Sequence, residues 1–305
     1  MSSTTAAPAL SRRRPVPATR LAMLLAALPA WWHLLSLDAP TVAALWSWSL
    51  ARALGVHPPL TAPLLLATGT WLLYVADRLL DGLRDTAILR DRHHFSRRHR
   101  PAFLAAAIPA GALLLWLIAF HMSPAARRDD TALFALTLTY FTAVHVPGAA
   151  IRRRLPKELA VALIFALATA VPAWVRIPHT MQSVTLLAAA TILFAGLCWL
   201  NCAAIETWES DRAMQSTTAL HGTTLWLQRH LAPVSITLAA GGLIAAAFCA
   251  LQREPRSAAL FLAQALAAAL LAMLHRRHHH LPVLPLRIAA DAVLLTPLLI
   301  LPMLR

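Results

Sequence analysis

Acidic residues are scarce in this chain: 13 Asp and Glu stand against 27 Lys and Arg in 305 residues, and charged side chains make up only 13%. That is about half the charged share of an ordinary solvated domain, so a conventional water-soluble surface is excluded. Cysteine is scarcer still. Cys198, Cys202 and Cys249 all lie inside apolar runs and lack metal-type spacing, so they indicate neither a disulfide framework nor a cysteine zinc site and read as small packing residues. Nine glycines, no Gly/Ser linker and no low-complexity block give nothing that would divide the chain. Residues 1–18 read as a disordered basic tail, and 19–305 as a single membrane domain.

What the chain has in abundance is hydrophobicity, 59% of residues with a mean hydropathy of +0.62. Its apolar runs suffice to cross a hydrocarbon layer of about 30 Å. The expected fold is all-α, a polytopic membrane helix bundle of about nine transmembrane helices over 20–37, 59–83, 101–122, 131–148, 158–175, 182–205, 230–251, 257–275 and 286–303. Segment 40–54 is short and carries Arg52, so it reads as an interfacial or re-entrant helix. Arg12, Arg13, Arg14 and Arg20 precede the first apolar run as in a signal peptide, but the pattern fits a retained first span, without cleavage.

A net charge of +14 would suit nucleic acid, yet in a membrane protein the placement of basic residues matters more than their sum. With the N-terminus inside, one side collects the N-terminal arginines, the 84–100 loop, RRRLPK at 152–157, Arg212, Arg229 and the basic stretch ending at Arg287. The positive-inside rule then predicts an integral membrane protein, expected in a bacterial inner membrane, with a cytoplasmic N-terminus, lipid as its surroundings and no nucleic-acid partner. The oligomeric state is not legible.

The few acids are not scattered. Asp77, Asp81 and Asp85 recur at four-residue spacing in YVADRLLDGLRD, which stacks them along one helix face, and Glu206, Glu209 and Asp211 close the run NCAAIETWESDR. Both groups fall near helix C-termini, where negative charge costs a few tenths to about 1 kcal/mol each. Either Arg78, Arg84 and Arg212 pair with them at solvated helix ends, or the two groups face each other and hold magnesium. In the second case neighbouring guanidinium groups would suit a diphosphate.

These residues carry a family resemblance. ADRLLDG at 76–82 resembles the first aspartate-rich motif of the UbiA superfamily of intramembrane prenyltransferases, with Leu73 at the motif's asparagine and Tyr74 at an acid common in one branch. A register in which Asp77 takes the asparagine's place, leaving Asp81 and Asp85 as ligands, is the alternative. The stretch 145–172 is similar to that family's fourth loop and fifth helix, and Asn201, Glu206, Glu209 and Asp211 stand where its second acidic motif lies. The resemblance covers most of 20–303 and implies a UbiA-like fold. The implied reaction is Mg²⁺-dependent prenyl transfer from an isoprenoid diphosphate to an aromatic or other lipophilic acceptor. It implies Asp77, Asp81, Glu206 and Glu209 as catalytic residues; Asp77, Asp81, Asp85, Glu206, Glu209 and Asp211 as metal ligands; and Arg78, Arg98, Asn201, Arg153 and Lys157 as substrate contacts.

Two alternatives stand beside it: a non-catalytic UbiA-like protein binding an isoprenoid or a partner, and a transporter. Asp291, early in the last span, is a functional candidate because it is an acid within a span, although Arg287 one turn away offers a structural partner. His93, His94, His99, His275 and His278 to His280 read as a basic surface for lipid headgroups. The tryptophans Trp31, Trp32, Trp46, Trp48, Trp174, Trp199 and Trp208 read mostly as interface anchors.

Overall fold

The computed structural model describes residues 28–81, 91–145, 156–213 and 221–304, and no strand occurs among them. A short helical segment at 28–34 leads into α1 (Asp38–Ala53), α2 (Thr61–Asp81), α3 (Asp91–Arg98), α4 (Arg100–His121) and α5 (Pro124–His145). Then come α6 (Lys157–Trp174), α7 (Met181–Ala213), α8 (Gly222–Leu251), α9 (Pro255–Arg277) and α10 (Val283–Val293), with 3₁₀ turns at His278–His280 and Thr296–Met303.

Six stretches among the described residues are long and apolar enough to cross a membrane: Arg100–His121, Lys157–Trp174, Met181–Ser210, Gly222–Leu251, Pro255–His280 and Val283–Met303. The protein is therefore a helical integral membrane bundle. The helices α1, α2 and α5 fall outside this set for physical reasons. The first has only 16 residues, α2 ends in ADRLLD, and α5 begins PAARRDD. That last helix starts seven residues before the apolar run. Ser123 Oγ accepts from the Ala126 N–H at 3.2 Å, and Arg127 reaches back to the Ile118 carbonyl closing α4.

α1 corrects a sequence expectation. Rather than lying on an interface it is a core element, with Val42, Ala43, Trp46, Leu50 and Ala51 buried and neighbours α2, α6 and α9. Trp46 stacks on Phe194 of α7 at 4.2 Å, and Phe165 of α6 adds a tilted ring at 6.0 Å. Arg52, the residue that argued for an interface, is buried. Its Nε donates to the Leu304 carbonyl at 2.6 Å, and its guanidinium lies 5.7 Å from the Trp48 ring centroid.

The last span also differs from the expected continuous helix. α10 stops at Val293, and the chain continues as a 3₁₀ segment containing Pro297 and Pro302. Proline removes a backbone donor, so the α pattern does not continue there. The Leu294 carbonyl at the break accepts the Trp46 indole N–H at 2.7 Å, which meets the requirement that buried backbone groups be paired.

α8 and α9 form an antiparallel hairpin closed by Arg253, whose φ of +59° lies in the left-handed region. Gly242 permits their close approach. A Cβ there would meet the Phe261 carbonyl oxygen at 3.0 Å and the Ala265 backbone nitrogen at 3.1 Å. By contrast α4 buries only Phe103 and Leu117, and α5 exposes Phe134, Leu136 and Leu138, as suits helices facing hydrocarbon.

Candidate functional site

At one end of the bundle α1 begins, α2 ends, and α7 and α10 pass by. Asp38 is the first residue of α1, where the helix dipole favours a carboxylate, and its Oδ1 accepts the Ala39 N–H at 3.0 Å. The preceding segment folds back through Ser36 (φ +62°), with the Leu37 N–H bonded to the Trp32 carbonyl at 3.0 Å. This reversal sets His33 beside Asp38. His33 Nδ1 lies 2.7 Å from Asp38 Oδ2 and 3.4 Å from Asp291 Oδ2 of α10.

Two residues expected to contact substrate complete this cluster. Arg78 of α2 donates from Nη1 to the His33 and Leu34 carbonyls at 3.0 and 3.1 Å, and its Nη2 stands 4.0 Å from Asp38 Oδ2. Asn201 of α7 donates from Nδ2 to Asp291 Oδ1 at 3.2 Å. His33, Asp38, Arg78 and Asn201 are all at least nine-tenths buried, so the charges face one another without water to screen them.

Beside this cluster lies a wider acidic region. The charges of Asp77, Asp38 and Asp291 act on Tyr74, and those of Asp77 and Glu158 act on Tyr140. Cys202 feels Asp291, Glu158, Lys157 and Glu206. Acids from α2, α6, α7 and α10 thus lie within electrostatic reach of Tyr74, Tyr140 and Cys202. Glu158 also ties α6 to α8, its Oε2 accepting from Thr224 Oγ1 at 2.8 Å, and Tyr140 Oη is buried with no hydrogen-bond partner among the described residues.

Glu209 pairs with Arg287 at the start of α10, one helical turn from Asp291, and lines a small recess with Ile205, Trp208 and Leu286. Lys157 is exposed at the start of α6, and Arg98 is exposed at the end of α3. Asp81 ends α2 and Asp211 lies in the last turn of α7, their side chains beyond what is described; Asp85 and Arg153 fall outside the described residues.

Trp208 is buried rather than an interface anchor. Its Nε1 lies 3.2 Å from His275 Nδ1, and the ring stacks with those of His275 and His278. The three cysteines are free and sit in the packed interior, as the sequence suggested.

His33 and Asp38 are the site residues that sequence reasoning missed. The available signal was a histidine and an aspartate five residues apart in HLLSLD, flanking a helix break before Ala-Pro. At the opposite end, a narrow cleft is lined by Leu65, Met122, Asp130, Pro172 and Arg176. Burial and the neighbouring Asp129 push the Asp130 carboxyl up to about 6. Comparison with family models, curated proteins and solved structures returns no match to this chain.

Proposed function

We propose that the chain is an intramembrane prenyltransferase of UbiA type, moving a prenyl group from an isoprenoid diphosphate to a lipophilic acceptor. The observation that carries this reading is a chain of electrostatic neighbours at one end of an apolar bundle: Asp77 of α2 and Glu158 of α6 both act on Tyr140, and Glu158 and Glu206 of α7 both act on Cys202. In this reading residues 28–53 form a first, broken pass, and α2 and α5 join the six apolar stretches to give nine passes with a cytoplasmic N-terminus.

Carboxylate oxygens are the donors magnesium prefers, so Asp77 and Glu206 fit it, with Asp81 adjoining on α2. When bound, the ion supplies Lewis-acid stabilisation of the departing diphosphate. The chain's own residues do the rest. Lys157, exposed at the mouth and acting on the same region as Glu206, holds phosphate oxygens, and the aliphatic walls of α6 and α7 keep water from the allylic cation.

The test is release of diphosphate from isoprenoid diphosphates by purified protein with a panel of acceptors. Activity should require magnesium and fall at least a hundredfold in Asp77→Asn and in Glu206→Gln. No turnover, together with no binding of any isoprenoid diphosphate, would end this reading. Ion flux in liposomes that Asp291→Asn abolishes and Asp81→Asn leaves intact would replace it with transport.

A further inference from the structure

We propose that His33, Asp38 and Asp291, with the Asn201 amide beside them, bind a divalent first-row transition-metal ion at a centre separate from the magnesium–diphosphate region. One nitrogen and two carboxylate oxygens, His33 Nδ1, Asp38 Oδ2 and Asp291 Oδ2, lie within 4.8 Å of one another. Ligand bonds near 2.0–2.2 Å place neighbouring donors roughly 2.9–3.6 Å apart, close to the 2.7 and 3.4 Å at which His33 Nδ1 already stands from the two carboxylate oxygens.

The donor set decides the class of metal. Magnesium takes oxygen and keeps much of its water, whereas an imidazole with two carboxylates suits zinc, manganese, iron(II) or cobalt(II). An independent feature points the same way. Asn201 is 5% exposed, its Nδ2 is committed to Asp291, and its Oδ1 has no hydrogen-bond partner. A buried amide oxygen without a partner costs free energy, and here it is a spare oxygen at the edge of the donor set.

Charge agrees. With His33 neutral, Asp38, Asp291 and Arg78 carry one net negative charge away from water, which either a proton on the imidazole or a bound cation balances. Arg78 is shared, its Nη1 serving two backbone carbonyls while its Nη2 stands 4.0 Å from Asp38 Oδ2. The donors come from the 28–34 segment, the start of α1 and the end of α10, so an ion here ties the chain reversal before α1 to α10.

The experiment uses the full chain in nanodiscs, stripped with chelator and titrated with Mn²⁺ or Co²⁺. Wild type should bind one ion per chain at micromolar concentration, and the Mn²⁺ spin-echo spectrum should show coupling to an imidazole nitrogen. Affinity should fall at least about tenfold in Asp291→Asn and in Asp38→Asn. It should persist in Asp77→Asn, and in the double variant His279→Ala, His280→Ala, which removes the exposed imidazoles of the histidine loop. Failure of the wild type to bind overturns the proposal whatever the variants do. Binding that survives both aspartate changes, or that is lost with Asp77 or the histidine loop, overturns it equally.

Discussion

The Trp46 indole N–H meets the Leu294 carbonyl at 2.7 Å, across 248 positions of sequence. One side chain in the middle of α1 therefore satisfies the backbone at the break after α10, where no intrahelical donor is available. Trp46→Phe keeps most of the ring packing against Phe194 but leaves that carbonyl buried and unpaired. The expected cost is about 1–3 kcal/mol, read as a lower thermal midpoint in detergent.

Arg78 braces the joint between the 28–34 segment and α1 through two carbonyls. Arg78→Met should destabilise by about 3–5 kcal/mol, because it strands two acceptors and leaves Asp38 and Asp291 without a nearby guanidinium. Arg78→Lys should cost less but still destabilise, since a single ammonium does not match the planar fork. Chemical unfolding of both variants, compared with wild type, checks the order.

The glycines divide into two kinds. Gly242→Leu should part α8 from α9 and cost at least 1–3 kcal/mol of overpacking, roughly, because the atoms it meets are backbone. Gly111→Ala, in α4 with nothing near its Cβ position, should be neutral or stabilise by up to about 1 kcal/mol through helix propensity. Thermal shifts of opposite sign are the expected outcome.

Asp130 gives the protein a pH dependence at its other end. Its carboxyl titrates near 6 in the fold and near the ordinary carboxylate value when unfolded, so the native state holds the proton more tightly. Stability then declines as pH rises through that window, from about 4 to 6. Asp130→Asn should raise the thermal midpoint by a few degrees at pH 7.5 and change nothing at pH 4. Partial exposure keeps the effect modest.

Much of the bundle was legible because long apolar runs have few alternatives in a membrane. α4, α6, α7, α8 and α9 all stand within several residues of their expected places, and Asp291 drew attention as an acid inside a span. What was not legible depended on contacts distant in sequence. Arg52 argued for an interface because its partners, the Leu304 carbonyl and the Trp48 ring face, cannot be inferred from its neighbours in the chain. His33 and Asp38 went unnoticed because a single residue with positive φ, Ser36, turns an apparently continuous apolar run back on itself. The pairing of Glu209 with Arg287, rather than with a ligand, likewise needed α7 and α10 side by side.

The contact at Gly242 has a mechanical corollary. Two helices whose main chains approach with only the Ala265 methyl beside Gly242 cannot slide or splay without losing that contact, whereas α4 buries only Phe103 and Leu117. Breathing of the bundle must therefore pivot on the α8–α9 pair as a stiff keel, and any oily molecule entering sideways from the bilayer would meet the yielding flank opposite.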